Sequence, residues 1–232
     1  MILFTSDIDW APDYVIIDML SIFKKYNVKC TLFCTHDSDI LRESDKNLFE
    51  LGIHPNFNNF LTNNESRSPY DIVKQLLEFY PKSIGVRSHS LFCSSGLLNI
   101  FKNFNLKYES SQLIPYNWNI SPYNCWTGLK RIPFNWEDDV HYSFKKKFEN
   151  CNIIEHYDSS KLYILNYHPI HVFLNSFDQT IYDKAKKVFD NKTKLNLLIN
   201  KKRFGVRDHL IRLLKFIDNE SINPLFMKDL LK

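Results

Sequence analysis

Apolar positions along the chain follow two rhythms: short continuous runs, and longer stretches with an apolar residue every three or four positions. The run from Ile2 to Ile8 starts at once and ends among acids, which predicts a buried first strand. Pro12 and Asp13 open a helix through Tyr26, with Ile16, Met19, Leu20 and Phe23 at helical spacing. Val28 to Cys34 predicts a second strand, and Leu41 to Leu51 a helix closed at Gly52. Ser68 then reads as an N-cap before Pro69, and Ile72, Val73, Leu76, Leu77 and Tyr80 form a buried face that Pro81 ends. Ile84 to Ser88 predicts a strand, after which Ser94 or Ser95 caps a helix carrying Leu97, Leu98, Phe101 and Phe104. Further strands are predicted at Tyr108 to Ser111, Lys130 to Phe134 and Lys161 to Tyr167. A helix from about Gly205 to Asp218, with Val206, Leu210, Leu213, Leu214 and Ile217 facing inward, opens a C-terminal helical segment, 205–232, packed on the rest of one domain, 1–232.

Strand–helix alternation of this kind predicts a parallel α/β sheet, either doubly wound or closed into a barrel. The placement of polar residues favours the barrel. Asp7 and Asp9, His54, Arg87 and His89, Trp136 to Asp139, and His168 each follow an apolar strand-like run. Ionisable groups gathered after successive parallel strands are what the active face of a barrel looks like. A dinucleotide-binding sheet would need a glycine-rich first turn, and this one reads Thr5-Ser-Asp-Ile-Asp-Trp10.

Composition narrows the classes. The chain has 232 residues, 44% hydrophobic and 24% charged, with a formal net charge of +4, enough for a full core. No run of 18 apolar residues is present, so no membrane span is expected. Asp7 comes too early for a secretory leader. The basic runs Lys145–Lys147 and Lys184–Lys194 read as solvated helix faces, with no nucleic-acid motif beside them. Five cysteines without a CxxC pair read as reduced thiols, which points to a cytoplasmic protein. Only 5 glycines are present, which argues against a phosphate-cradling loop and for side-chain chemistry at strand ends.

The candidate chemistry starts at Asp7-Ile-Asp9. Residues two apart on a strand share a face, so both carboxylates would enter one site, where a cation or an arginine is needed to offset them. An acidic cap for the next helix is the plainer alternative. A nucleotide-sugar DxD site is disfavoured, because a nucleotide-binding unit would precede it and only six residues do. His54, before Pro55, suits either a metal ligand or a satisfied loop histidine. Arg87 and His89 are expected to share a strand face, with Arg87 near the carboxylates or in an ordinary structural ion pair. Trp136, followed by Glu137, Asp138 and Asp139, is a candidate wall for a sugar face or else core packing; Trp10 is a second candidate for sugar contact. His168, before Pro169, is placed as a general acid. His171 reads as structural, and His36, His141, His156 and His209, which lack such context, read as surface or packing residues. The Trp-, Tyr- and Asn-rich stretch Asn117–Gly128 reads as a substrate-covering loop or as packing.

These segments, in this order, resemble the polysaccharide deacetylase family (carbohydrate esterase family 4), and more closely its O-antigen-locus branch, called WbmS-like. The resemblance runs from Asp7 to about Asn175, and Gly205-Val-Arg-Asp208 also fits that branch. It implies a distorted (β/α) barrel with about seven parallel strands and a divalent metal, zinc first, used to remove an N-acetyl group from a sugar or glycan during surface polysaccharide or lipopolysaccharide synthesis. By that resemblance Asp7 is the general base, Asp9 and His54 are metal ligands, Arg87 orients the base, and His168 protonates the departing amine. Asp138, with Asp139 as the alternative, would orient His168. Two departures stand out. Asn58 occupies the place of the family's second histidine, and His89 stands where a proline is expected two residues after the arginine. An amide oxygen is a weak zinc ligand, so the third ligand is left between Asn58 and His89, or the site takes another metal. A non-catalytic carbohydrate-binding barrel, or an amidohydrolase removing a formyl or other acyl group, are the alternative functions.

Overall fold

Strand β1 (Ile2–Asp7) is buried along its length, as a strand must be when both faces are covered. Alternate residues go to two different cores. Ile2, Phe4 and Ile8 join a large cluster with the helices, whereas Leu3 packs with Phe33, Tyr108, Ile132, Phe134, Ile164 and Met227. The second cluster is the inside of a curled sheet. These relations come from a computed structural model describing residues 1–62 and 64–231.

In chain order β1 is followed by α1 (Asp13–Lys25), β2 (Cys30–Cys34), α2 (Asp39–Arg42), β3 (Phe49–Ile53), α3 (Pro69–Phe79), β4 (Gly85–Val86), α4 (Ser95–Asn103) and β5 (Tyr108–Glu109). Then come β6 (Tyr123–Asn124), β7 (Lys130–Arg131), β8 (Trp136–Glu137), α5 (Asp138–Ser143) and β9 (Tyr163–Asn166). Among the described residues four α-helices follow β9: α6 (Pro169–Leu174), α7 (Gln179–Lys186), α8 (Lys192–Leu197) and α9 (Val206–Asn219). Local signals set several boundaries. Ser68 and Asp71 form a reciprocal capping box on α3 with Pro69 in its first turn, and Ser94 Oγ accepts from Leu97 N at the start of α4.

Among the described residues nine strands are ordered β6-β7-β5-β4-β3-β2-β1-β9-β8, and every pairing is parallel except β6 with β7. Strands β7 and β8, near opposite ends of this order, are joined by only Ile132 to Asn135. Five extended steps span at most about 17 Å, so the sheet has to curl. The joining stretch bridges the gap: Phe134 N donates to Gln112 O beyond β5, and Asn135 N donates to Ile164 O in β9. The α/β class and the curled, mostly parallel barrel expected from the sequence are therefore present.

One expected element is corrected. The helix over Leu41–Leu51 is absent; α2 stops at Arg42, and β3 starts at Phe49. The stretch Arg42–Asn47 holds no apolar residue to form a buried helical face, and from Phe49 the chain pairs with β2 in parallel register, Gly52 beside Phe33. Glu50 points into the barrel, accepting from Thr31 Oγ1 at 2.9 Å and from Tyr108 Oη at 3.0 Å. The C-terminal segment closes that end. Helix α9 buries the stripe expected for it, Leu225 bridges to Leu3, and Met227 N donates to Thr31 Oγ1. Trp118 stacks on Tyr163 at 4.7 Å, so part of the 117–128 stretch is packing. The five cysteines are unpaired thiols. Among the described residues no helix is long and apolar enough to cross a membrane.

Two glycines give opposite expectations. A Cβ at Gly85 would sit 2.0 Å from Tyr108 Cζ, whereas at Gly96 the nearest atom is Ser94 Oγ at 3.8 Å. In urea unfolding, Gly85→Ala is expected to destabilise by about 1–3 kcal/mol, and Gly96→Ala to stabilise by about 0.4–1 kcal/mol. Unchanged stability in Gly85→Ala would contradict the close contact inside the barrel.

Candidate active site

The strand ends are polar because of one buried cation. Arg87 follows β4 and has no exposed surface. Its Nη1 donates to Asp7 Oδ1 at 2.9 Å, Thr5 Oγ1 at 3.0 Å and Asn166 Oδ1 at 2.7 Å. Its Nε and Nη2 donate to the carbonyl and hydroxyl oxygens of Ser110. Phe33 and Phe134 flank the guanidinium, with ring centroids 4.4 and 4.0 Å from Cζ. Every residue hydrogen-bonded in this network belongs to a strand or directly follows one.

Asp7 ends β1, but Asp9 lies beyond the strand. Asp9 and Trp10 both take left-handed backbone, with φ of 46° and 55°. Aspartate tolerates that region, whereas tryptophan is strained there. The two carboxylates thus meet through a turn, not through strand alternation as expected. Arg87 and His89 are corrected in the same way, because β4 ends at Val86. Arg87 points into the barrel, whereas His89 sits in the following turn, where its backbone N donates to Pro55 O. That turn, with Ser90 and Leu91 also left-handed, brings the imidazole back over His54.

Asp9 Oδ1 lies 3.2 Å from His54 Nε2 and 3.0 Å from His89 Nδ1. One ligand atom from each of the three lies within 4.8 Å of the others. Burial opposes charge on Asp9, but the two histidines outweigh it and hold its carboxyl well below the usual range. One carboxylate and two imidazoles converging on a point form a donor set that suits zinc. Asn58 is placed elsewhere: its Nδ2 donates to Ser90 Oγ at 2.9 Å, and it does not line the cavity. His89 does.

His168 closes the opposite side. Asp138 Oδ1 lies 2.7 Å from its Nδ1, and Asp138 Oδ2 accepts from its backbone N. Its Nε2 faces the cavity, 3.5 Å from Asp9 Oδ2. Burial would lower the imidazole, yet Asp138, then Asp139 and Asp9, outweigh burial and hold it well above its ordinary value. Asp138 therefore partners His168; Asp139 lines the cavity and donates its backbone N to Asp138 Oδ1.

The cavity enclosed by these groups measures about 210 Å³, with Asp7, Asp9, His54, His89, Glu137 and His168 in its wall. Trp136 is a correction. It is 1% exposed, stacked on His209 at 4.9 Å, and donates Nε1 to His141. Successive strand residues point to opposite faces, so with Glu137 turned into the cavity, Trp136 must face the helices. Trp10 is 45% exposed and meets the ring of His89, a residue of the cavity wall, edge-on at 5.1 Å. His171 is buried against Tyr142 and Ser176, and His141 and His209 are buried in the aromatic core.

Sequence reasoning passed over Thr5, Ser110 and Asn166, which look like ordinary strand residues, and Glu137. The last had a signal: an acid next to an apolar tryptophan at a strand end has to take the opposite face.

The model for "WbmS-like: Polysaccharide deacetylase" matches residues 4–186. A Bordetella bronchiseptica structure assigned as a polysaccharide deacetylase involved in O-antigen biosynthesis is 32% identical, with a TM-score of 0.82, over 92% of this chain and 89% of that one. Two more distant structures share the fold. Bacillus subtilis peptidoglycan deacetylase PdaC is 12% identical with a TM-score of 0.54, over 99% of this chain and 89% of its own. A Streptomyces lividans family 4 carbohydrate esterase in complex with acetate is 8% identical with a TM-score of 0.52, over 96% and 90%. A comparison with curated proteins returned no match. The family match over most of the chain, and the 32% identity to the O-antigen relative over 92% of it, make this chain a member of the WbmS-like polysaccharide deacetylases.

Proposed function

We propose that the chain is a metal-dependent N-deacetylase acting, in the cytoplasm, on a sugar used in O-antigen or related surface polysaccharide assembly. The observation that carries this reading is the division of labour between the two acids: Arg87 holds Asp7, whereas Asp9 faces His54 and His89. The membership of the family and the O-antigen role assigned to the Bordetella relative supply the substrate class.

Asp9, His54 and His89 would hold a divalent cation, zinc first for two imidazoles and a carboxylate. When bound, such a cation supplies Lewis acidity that polarises the acyl carbonyl and makes water a stronger nucleophile. Asp7 has one oxygen fixed by Arg87, so its other oxygen, Oδ2, is aimed to take the proton of the attacking water. His168 holds a proton on the far side of the cavity and gives it to the amine nitrogen as the C–N bond breaks. Asp138 steadies the imidazolium before that transfer. A complete set of base, acid and ligands favours an enzyme over a binding-only barrel, since sugar binding alone requires none of these pairings.

Acetate release from N-acetylated sugar nucleotides and glycans, assayed with added zinc, tests the reading. Asp7→Asn and His168→Ala are each expected to lower kcat by about 10²–10⁴-fold; intact turnover in both would overturn the assigned roles. Metal binding gives an independent check by calorimetry. His54→Ala and His89→Ala are expected to weaken zinc binding by at least about 100-fold, beyond what loss of an outer partner costs. Asn58→Ala should leave zinc affinity close to that of the parent chain, and an Asn58→Ala protein that loses zinc would reverse the ligand assignment.

A further inference from the structure

Glu137 lines the catalytic cavity but takes no part in the scheme above. It ends β8 opposite Asn166 of β9, and Asn166 Nδ2 donates to its Oε1 at 2.9 Å. The orientation of Asn166 is fixed from the other side. Its Oδ1 accepts from Arg87 Nη1 at 2.7 Å and from Thr5 Oγ1 at 2.9 Å, so its NH₂ end has to face Glu137. With Oε1 engaged by Asn166, Oε2 is the oxygen left for the cavity.

The surroundings decide what Oε2 can do. A carboxylate oxygen of Glu137 lies within 4.8 Å of one from Asp7 and of a ring nitrogen of His168. Burial first, then the neighbouring Asp139 and Asp7 charges, push the Glu137 carboxyl up to about 8, against the pull of His168 and Arg87. A protonated carboxyl has one O–H to donate. The cavity is about 210 Å³, below the roughly 300 Å³ at which sites for drug-sized ligands begin. An occupant that reaches both Asp7 and His168 therefore meets Glu137 as well.

We propose that Glu137 is a substrate-binding residue whose Oε2 hydroxyl donates a hydrogen bond to an oxygen of the sugar undergoing deacylation. This rests on the deacetylase reading and assigns to the site a neutral donor beside its charged groups. A contact made equally in the ground state and the transition state changes KM and leaves kcat alone. A purely structural role would run instead through Asn166 and Arg87 to Asp7, and would lower kcat.

Steady-state kinetics separate the two, using zinc-loaded protein and the fastest substrate among UDP-N-acetylglucosamine, UDP-N-acetylgalactosamine, their uronic acid forms and N-acetylglucosamine oligomers. Glu137→Leu is expected to raise KM about 10-fold, the worth of one hydrogen bond of about 1.4 kcal/mol, with kcat within about 3-fold. Glu137→Gln keeps an acceptor for Asn166 and a neutral donor for the cavity, and is expected to restore KM to within about 3-fold. Asn166→Ala marks the structural route, with its loss in kcat. An unchanged KM in Glu137→Leu, a Gln variant as impaired as the Leu variant, or a Leu variant whose kcat falls as in Asn166→Ala would each overturn the proposal. If Glu137→Leu does not fold, Glu137→Asp, which withdraws the acid by one methylene, is read against the same expectations. A parent chain that turns over none of the substrates overturns the deacetylase reading instead.

Discussion

The buried pair of Arg87 and Asp7 is the constraint around which the barrel and its site are arranged. Removing a guanidinium and a carboxylate from water costs several kcal/mol per ion, repaid only when geometry and extra hydrogen bonds are good. Here the cation reaches Thr5 and Asp7 on β1, Ser110 beyond β5 and Asn166 on β9, and is clamped by Phe33 and Phe134. It therefore ties the ends of four strands together at the level where the cavity begins. The same bonds that make its burial tolerable decide which carboxylate oxygens are left to face substrate.

That arrangement gives neighbouring acids of one cavity different partners. Asp9 is drawn down by His54 and His89, whereas Glu137 is pushed up by burial and by neighbouring acids. Asp138, raised by burial, is opposed by His168 and in turn holds that imidazole well above its ordinary value. In the proposed mechanism, carboxyls within one small volume would thus serve as a ligand, a neutral donor and a counter-ion. Composition does not distinguish them; their partners do.

Much of this was legible in the sequence, for identifiable reasons. The long amphipathic helices and the continuous apolar strands β1 and β9 announce themselves by period, and acids or histidines at strand ends mark the active face. What escaped depends on phase and on turns. Leu41–Leu51 has apolar residues only towards its ends, with six polar residues from Arg42 to Asn47 between them, and the pairing of Phe49–Ile53 with β2 makes its second end a strand. Trp136 and Glu137 exchange roles because a one-residue change of phase swaps the two faces. His89 lines the cavity and Asn58 does not, an outcome of the turns after β3 and β4, the second with left-handed backbone at Ser90 and Leu91, a feature of non-glycine residues that no pattern of hydrophobicity reports.

The central claim is that Arg87 reserves Asp7 for proton transfer and leaves Asp9 to bind a metal. Anomalous diffraction from zinc-soaked crystals tests it most directly. The expected result is one peak about 2.0–2.2 Å from Asp9, His54 and His89, with Asp7 still hydrogen-bonded to Arg87. A peak held by Asp7, Glu137 and His168, or one with Asn58 in place of His89, would contradict it.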